Sequence, residues 1–412
     1  MTRPNAYHTY LFAEGSASLF FAMAGAANMI YMVTTVGLNP LQLVLVGTAL
    51  EAAYFIFQVP TGLLADIFGR RLSIICGYIL IGLGFMLEGL VPRFESILLA
   101  QALWGLGAAC TDGAMEAWIS DEVGEAHAGP AFMRAAQMSQ ITAVAGTLAG
   151  IVLGSVQINL PIVAGGVLIS VLGLLLSVVM PEHGFRPRPR GQHASQQVRA
   201  RLRDSAGMLR RRPALLTILA IGAVFGAFSE GYDRLSTAHM VENFAFPDLL
   251  ALQPIAWLGG IRIAVMLLSA GALEMVRTRI DTNNHHSVVR ALSWLYGILS
   301  LAVIAFGLAG SFWPAVAAMM AAALVRRISN PIYLAWVNQR LDSQVRATVI
   351  SMSAQADALG QIAGGPVVGA IGTLWSLRAA LVTAGLMLSP VLLLIRYTGR
   401  QHEQPEMIEE AA

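Results

Sequence analysis

The sequence predicts an all-α integral membrane protein with twelve transmembrane helices, and three observations lead to this fold class. Of its 412 residues, 56% are hydrophobic and only 12% are charged, with a mean hydropathy of +0.65, whereas soluble domains carry about 25% charged residues. A helix needs about 20 mostly apolar residues to cross a bilayer, and twelve segments of this kind can be marked. The one long polar stretch, residues 181–213, separates six of them from the other six.

The twelve apolar segments define the expected helices in chain order. They run over residues 8–34, 40–65, 72–91, 96–119, 133–157, 160–180, 214–240, 250–275, 288–310, 313–338, 347–372 and 375–396. The first is too long for a cleavable signal peptide and carries Glu14, so we interpret it as a permanent helix. We expect an N-terminal six-helix bundle (residues 1–180), an arginine-rich cytoplasmic linker (181–213), and a C-terminal six-helix bundle (214–412) ending in a short cytoplasmic tail.

The arginines predict the orientation of these helices. If both termini are cytoplasmic, most arginines outside the membrane fall on the cytoplasmic side, and only Arg93 and Arg378 fall on the other side. The linker arginines are interpreted as topology determinants, since a net charge of +2 does not favour nucleic-acid binding. Part of the linker, residues 196–212, is expected to form a helix along the lipid head groups. The expected location is the plasma membrane (the bacterial inner membrane), crossed many times.

A short turn between the second and third segments carries the most specific motif. Residues 62–71, which we call the signature loop, hold two glycines, one aspartate and two arginines. Glycine permits close backbone approach, and Asp66 is predicted to cap the following helix, because a carboxylate accepts from free N–H groups at a helix start. Arg70 and Arg71 keep the turn on the cytoplasmic side.

The pattern G-x-x-x-D-x-x-G-R-R, here Gly62, Asp66, Gly69, Arg70 and Arg71, resembles the loop between helices 2 and 3 of the major facilitator superfamily. The resemblance implies two pseudo-symmetric six-helix bundles related by an axis along the membrane normal. It also implies a gate in which the loop latches against helices 4 and 11. Here the expected contacts are Glu116 with Arg70 or Arg71, and Asp66 with the start of helix 11 near Arg346.

Helices 5 and 11 are rich in glycine. Helix 5 carries Gly146 and Gly150 on one small face suited to tight helix packing. Helix 11 carries Gly364, Gly365, Pro366 and Gly369, and its Gly-Pro-x-x-Gly run resembles the helix 5 signature of drug/proton antiporters in the superfamily. This run lies in the equivalent helix of the other half. It is interpreted either as a close-packing surface or as a bend used in alternating access.

Charged side chains inside membrane helices usually face a cavity or a partner, because exposing them to lipid is costly. Asp112 and Glu116, four residues apart, are predicted to share a helix face, which makes proton binding at Asp112 plausible. Glu230 and Arg234 have the spacing of an ion pair within one helix. The candidate proton or substrate cavity comprises Glu14, Glu51, Asp112, Glu230, Asp233, Arg262, Arg326 and Asp357.

Arg326 or Arg262 with Asp357 forms either a cross-helix ion pair or an anion site, and the sequence leaves both alternatives open. Asp233 is expected to point away from Arg234 and to line the outer vestibule. The residue four positions before Gly105-Leu106-Gly107 is Gln101, where many superfamily members have an arginine associated with proton transfer. This departure weakens the expectation of proton coupling.

No motif for catalysis, ATP binding or metal binding is present in the sequence, so we expect neither an enzyme nor a cofactor. The leading hypothesis is a secondary transporter that exports drug-like or amphiphilic compounds by alternating access, with the proton gradient as its energy source. The alternative is proton-coupled or facilitated uptake of a polar or anionic metabolite. A non-transporting membrane sensor or scaffold is the hypothesis from another class. The expected partners are a small-molecule substrate and membrane lipid, without nucleic acid, and the expected state is a monomer.

Overall fold

The computed structural model describes residues 5–185, 213–249, 252–281, 284–339 and 343–400, and within these ranges it contains helices and no strand. Twelve helical segments follow one another, and two of them are interrupted. They are α1 (Ala6–Thr34), α2 (Pro40–Phe68), α3 (Arg70–Leu90), α4 (Phe94–Val123), α5 (Glu125–Val156), α6 (Leu160–Val179), α7 (Pro213–Asn243), α8 (Pro254–Arg279), α9 (His285–Leu308), α10 (Phe312–Gln339), α11 (Ser343–Leu374) and α12 (Leu377–Met387 with Ser389–Arg400).

Eleven of these helices, within the described residues, are long and apolar enough to cross a membrane. The other one is α11, which has 32 residues and therefore ample length. Its mean hydropathy is lowered by three polar residues in its middle part, Gln355, Asp357 and Gln361. The chain is thus a multi-pass membrane protein.

Helix starts follow ordinary capping chemistry. Asn39 and Gln42 form a reciprocal capping box at the start of α2, and Pro40 occupies the first turn, where its missing N–H costs nothing. Asn284 accepts a hydrogen bond from the backbone of Ser287 at the start of α9. Local sequence therefore determines where these helices begin.

Helix α4 is broken where the sequence predicted a continuous helix. Gly113 adopts a φ of +72°, and Asp112 has an extended backbone, so α4 consists of Phe94–Thr111 and Ala114–Val123. The expectation that Asp112 and Glu116 share one helix face is therefore wrong, because the helical phase is interrupted between them. Glycine explains the break, since other residues rarely adopt this φ.

Helix α5 begins at Glu125, earlier than the predicted residue 133. Its first turns carry Glu125, His127 and Arg134, and a search for apolar residues does not detect such a polar extension. The length of the apolar run marks only the part of a helix that lies in the bilayer. The polar N-terminal extension of α5 therefore had no signal in that search.

The chain divides into two compact units. Unit 1 comprises Met1–Arg190 and Asp248–Ile263, and unit 2 comprises Gly191–Pro247 and Ala264–Ala412. Unit 1 thus holds α1 to α6 together with the first part of α8, which packs against α5 where Ile151 meets Gly259. Most of the expected linker, including its lipid head-group helix, lies outside the described residues.

The glycine faces lie at close helix contacts. A Cβ at Gly146 would collide with the carbonyl oxygen of Leu19 on α1, and one at Gly150 would lie 2.5 Å from the carbonyl oxygen of Met23. In unit 2, a Cβ at Gly364 would collide with Ala227 of α7. Glycine allows these backbones to approach. Elsewhere on α11, two glycines are buried and a proline lies inside the helix: Gly365, Gly369 and Pro366.

Candidate functional site

The signature loop is fastened to the C-terminal end of α4 through Arg70. Its guanidinium pairs with Asp121 and donates to the carbonyl oxygen of Ala117 at 2.5 Å. It also lies 4.0 Å from Asp66, which is four residues earlier and belongs to the end of α2. The expected partner Glu116 is replaced by Asp121, because the break in α4 rotates its last segment. Charge-assisted bonds of this kind are the stronger ones in proteins.

Glu182, which follows α6, supplies the helix cap that the sequence assigned to Asp66. Its carboxylate accepts a hydrogen bond from the backbone N–H of Arg71 at 2.9 Å, in the first turn of α3. Gly69, at a φ of +111°, lets the chain turn so tightly that an added Cβ would lie 3.0 Å from that carboxylate. The Arg71 side chain donates to the carbonyl oxygen of Ser177 at 2.5 Å.

The chain segment after α6 is held against the end of α4 as well. Trp118 donates from its indole nitrogen to the carbonyl oxygen of Pro181 at 2.7 Å. Glu122 accepts from the backbone N–H groups of His183 and Gly184 at 2.5 and 2.6 Å. The signature loop, the end of α4 and residues 181–184 therefore form one hydrogen-bonded cluster, which we call the loop clasp.

A charged cluster lies midway along the helices of unit 2. Arg326 of α10 donates to Asp233 of α7 at 2.5 Å, and its guanidinium lies 5.4 Å from the ring centroid of Phe225. Asp357 of α11 is close enough for its charge to interact with Arg326. It accepts a hydrogen bond from Gln361 at 2.8 Å. Of the two open alternatives, Arg326 thus makes a cross-helix ion pair, with Asp233 rather than Asp357 as its bonded partner.

The exposure of this pair indicates that it is hydrated. The side chain of Asp233 is 48% exposed and that of Arg326 is 28% exposed. Arg326 lies near the centre of a 28-residue membrane helix. Charged groups exposed to lipid at that depth are very unfavourable, which favours an aqueous cavity around this pair. The neighbouring pair of Arg234 with Glu230, at 3.0 Å, is more buried and lies within α7 as the spacing predicted.

Comparison with known proteins identifies the family. A sequence profile described as the Major Facilitator Superfamily matches residues 10–280, which is more than half of the chain. This chain belongs to the major facilitator superfamily. It is a membrane transporter of that type, and the signature loop and the run of apolar helices are the features of the sequence that pointed to it.

Relatives of this major facilitator chain include one curated protein and many solved structures. It is 26% identical over 359 residues to the "Uncharacterized MFS-type transporter YxaM" of Bacillus subtilis (strain 168), covering 86% of each chain. A crystal structure of the nucleoside transporter NupG has a TM-score of 0.74 at 14% identity, covering 96% of this chain and 98% of that one. A crystal structure of the peptide transporter POT with alafosfalin has a TM-score of 0.75 at 16% identity, covering 96% and 95%. At these identities the structures show a shared fold alone.

The other predicted residues of this major facilitator chain are dispersed. Asp112 is exposed at the break in α4 and accepts a hydrogen bond from the hydroxyl of Tyr54 on α2. The exposed Glu116 lies close enough to Glu14 of α1 for the charges of the two carboxylates to interact. The latch expected near Arg346 falls on a side chain outside the described residues.

Three further predicted residues, Glu51, Arg262 and Gly62, lie in different surroundings. Glu51 of α2 is half-buried and interacts electrostatically with Tyr54. Arg262 of α8 lies within unit 1, near Gly25 of α1. Gly62 meets nothing within 4 Å of an added Cβ, so the close approach expected at this glycine is absent among the described residues. The described residues also contain no group of three or more metal-ligating side chains.

Sequence reasoning missed several acids that the structure makes prominent. Asp121 and Glu182 escaped attention because they lie in polar ends of segments, where charges are common. Glu88 lies near the end of an apolar segment, yet its side chain is 0% exposed. An acid one turn inside the end of a membrane helix was a signal that the search for mid-span charges passed over.

Proposed function

We propose that this protein is a proton-coupled secondary transporter that exports small amphiphilic, drug-like compounds by alternating access. The observation that carries the proposal is the partly exposed ion pair of Asp233 and Arg326 in the middle of unit 2. A carboxylate that is paired and also reached by water can exchange a proton, and protonation removes the charge that holds Arg326.

The aromatic residues around this pair also support an amphiphilic substrate. Phe225 lies against the Arg326 guanidinium, and aromatic rings offer apolar contact beside a charge. In unit 1, a second aromatic group joins α1, α3 and α4, where Phe85 lies 5.6 Å from Phe21 and 4.8 Å from Trp104. Amphiphilic compounds need such neighbouring apolar and charged surfaces.

The remaining parts of the proposal follow from the family and the arginine distribution. The protein acts as a monomer in the bacterial plasma membrane, with both termini in the cytoplasm, and it needs the proton gradient rather than a bound cofactor. The loop clasp lies on the cytoplasmic side and acts as the gate that closes the inner side. Its partners are the substrate and membrane lipid, without nucleic acid, and residues 1–180 and 214–412 act as the two moving bundles.

Everted membrane vesicles with an acid interior test the proposal. Ethidium, a fluorescent amphiphilic cation, and further compounds are added one at a time while a dye reports the internal pH. We expect proton release with wild-type protein, its loss in Asp233→Asn, and its retention in Glu242→Gln, an exposed acid at the end of the same helix. Release that persists in Asp233→Asn would reject Asp233 as the coupling acid. No release with any compound would reject proton-coupled export.

Uptake of a polar or anionic metabolite is the second candidate. Arg326 favours it, since a guanidinium at the centre of a membrane helix is a strong site for an anionic group. The fold is also shared with transporters named for nucleosides and peptides. Accumulation of a labelled nucleoside or dipeptide in whole cells, abolished in Arg326→Gln, would favour this candidate over export.

A further inference from the structure

The break in α4 is held in place by the neighbouring helices. Because the first part of α4 ends at Thr111, backbone carbonyl groups that a continuous helix would use are freed. The carbonyl oxygen of Ala109 accepts a hydrogen bond from the hydroxyl of Thr61 on α2 at 2.7 Å. That of Cys110 accepts from the hydroxyl of Ser73 on α3, also at 2.7 Å. The interruption is therefore a built part of unit 1.

The break lies deep in the membrane-spanning part of unit 1. Asp112, at the break, accepts a hydrogen bond from the hydroxyl of Tyr54, which is the central residue of the 29-residue helix α2. Irregular backbone at such a depth occurs where it is buried in protein or lines an aqueous cavity. Since Asp112 and Gly113 are exposed, an aqueous cavity beside the break is favoured.

Tyr54 orients the carboxylate of Asp112 and leaves it charged. A tyrosine hydroxyl is uncharged at neutral pH, so its hydrogen bond does not cancel the charge of the carboxylate. The bond engages one oxygen, Oδ2, and a carboxylate accepts about four hydrogen bonds in all. The hydroxyl itself accepts a hydrogen bond from Gln58, one turn later on α2, at 3.1 Å. This chain of donors fixes the position of Asp112.

Open space and apolar surface lie beside this carboxylate. A Cβ built on Gly113 meets no described atom within 4 Å. Phe57, one turn after Tyr54 on α2, is 40% exposed, and residues three apart are neighbours on a helix surface. A carboxylate, an aromatic ring and an exposed apolar side chain are thus neighbours here. A cation with an apolar body requires this combination.

The position of Asp112 favours a ligand over a structural role. Thr61 and Ser73 already satisfy two of the freed carbonyl groups, and an ionised carboxylate has no proton to donate to such groups. Charged residues inside membrane helices are unfavourable and mark substrate or ion pathways. Discontinuous membrane helices are places where transporters bind substrates. The charge of Asp112 is therefore better explained by a ligand than by the fold.

We propose that Asp112, oriented by Tyr54 and Gln58, is a binding subsite for the cationic group of the transported compound. The carboxylate supplies the opposite charge, and the ring of Tyr54 supplies a face that attracts a quaternary ammonium group. The inference rests on the proposed export of amphiphilic compounds and narrows their class to cations. It assigns recognition of the cation to unit 1, whereas the proposed coupling acid belongs to unit 2.

Equilibrium binding to the purified full-length protein in phosphatidylcholine nanodiscs tests the subsite without transport. Ethidium is titrated, and its fluorescence reports saturable binding. Asp112→Asn is expected to raise the Kd by about tenfold or more. Glu95→Gln, which changes an exposed acid on the same helix, is the matched control and is expected to leave the Kd unchanged. An unchanged Kd in Asp112→Asn would overturn the proposal, and so would a wild-type protein without saturable binding.

Two competitors of equal shape test the charge without depending on the folding of a variant. Benzyltrimethylammonium is a cation, and neopentylbenzene has the same shape without the charge. In wild type, the cation is expected to displace ethidium at a concentration about tenfold lower than its neutral counterpart. Asp112→Asn is expected to remove this preference. Equal displacement by the two competitors in wild type would overturn the cationic specificity.

Tyr54→Phe tests positioning, because it keeps the aromatic ring and removes the donor to Asp112. The Kd for ethidium is expected to rise by about fivefold, for the loss of one hydrogen bond. Adding Tyr54→Phe to Asp112→Asn is expected to cause no further rise, because the hydroxyl acts through the carboxylate. Additive effects of the two substitutions would contradict the positioning role.

The everted-vesicle assay separates this inference from the proposed function. Binding of ethidium that depends on Asp112, without proton release from wild-type vesicles, would reject proton-coupled export and leave the cation subsite in place. Proton release that has the same dependence on ethidium concentration in wild type and in Asp112→Asn would support export and overturn the role of Asp112.

Discussion

Gly69 is the residue at which the signature loop is most tightly constrained. Its φ is +111°, and the carboxylate of Glu182 lies beside it. Both the backbone conformation and the lack of room for a Cβ atom therefore require glycine. Gly62, the other glycine of the motif, lies inside α2 with open space around it. Two glycines of one motif therefore have different physical requirements.

Gly69→Ala is expected to lower the free energy of unfolding by about 1–2 kcal/mol, because an L-residue is strained at this φ. Gly62→Ala is the matched control and is expected to be neutral or to gain about 0.5–1 kcal/mol, since alanine is favoured over glycine inside a helix. Thermal unfolding of both purified variants measures the difference. Equal destabilisation by the two substitutions would contradict this account.

The candidate site was only partly predictable at the level of single residues. The spacing of Glu230 and Arg234 predicted their ion pair, because both lie in one uninterrupted helix. The partners Asp121 and Glu182 were not predictable, since they depend on a break in α4 and on a chain segment distant in sequence. Spacing arguments hold while the helix is continuous and fail at the first unpredicted break.

Helices α1 and α5 are held together through glycine contacts. Gly146→Ala is expected to separate them and to lower the free energy of unfolding by about 1–3 kcal/mol, because the added Cβ meets the backbone of Leu19. Gly129 lies on the same helix with nothing within 4 Å of an added Cβ, so Gly129→Ala is the matched control. A similar loss of stability in both variants, measured by thermal unfolding in detergent, would argue against a specific contact.

Hydropathy predicted the number and order of the helices well and their ends less well. Apolar length reports the part of a helix inside the bilayer, so the polar first turns of α5 were left out. The break at Gly113 had no signal either, because an isolated glycine in a membrane helix is common. Caps such as Asn39 with Gln42 were visible in the sequence, but only after the helix itself was recognised.

At the scale of the whole molecule, the arginine distribution predicts the sidedness of every loop. A protein with Cys76 and Cys110 replaced by alanine allows single cysteines to be labelled. Arg93→Cys is expected to react with a membrane-impermeant maleimide in intact cells, whereas His183→Cys, at a side chain that is 64% exposed, should react only after the membrane is opened. The reverse pattern would overturn the proposed orientation.

The loop clasp has a mechanical consequence for the chain that follows α6. Its hydrogen bonds reach as far as Gly184, so the following segment is anchored to the signature loop and not merely tethered to the end of α6. Tension on that segment would act on the hydrogen bonds of Glu122, Trp118 and Glu182 together. It would also act on the turn at Gly69. Tension along the polypeptide beyond Gly184 would therefore reach the signature loop through these hydrogen bonds as well as through α6.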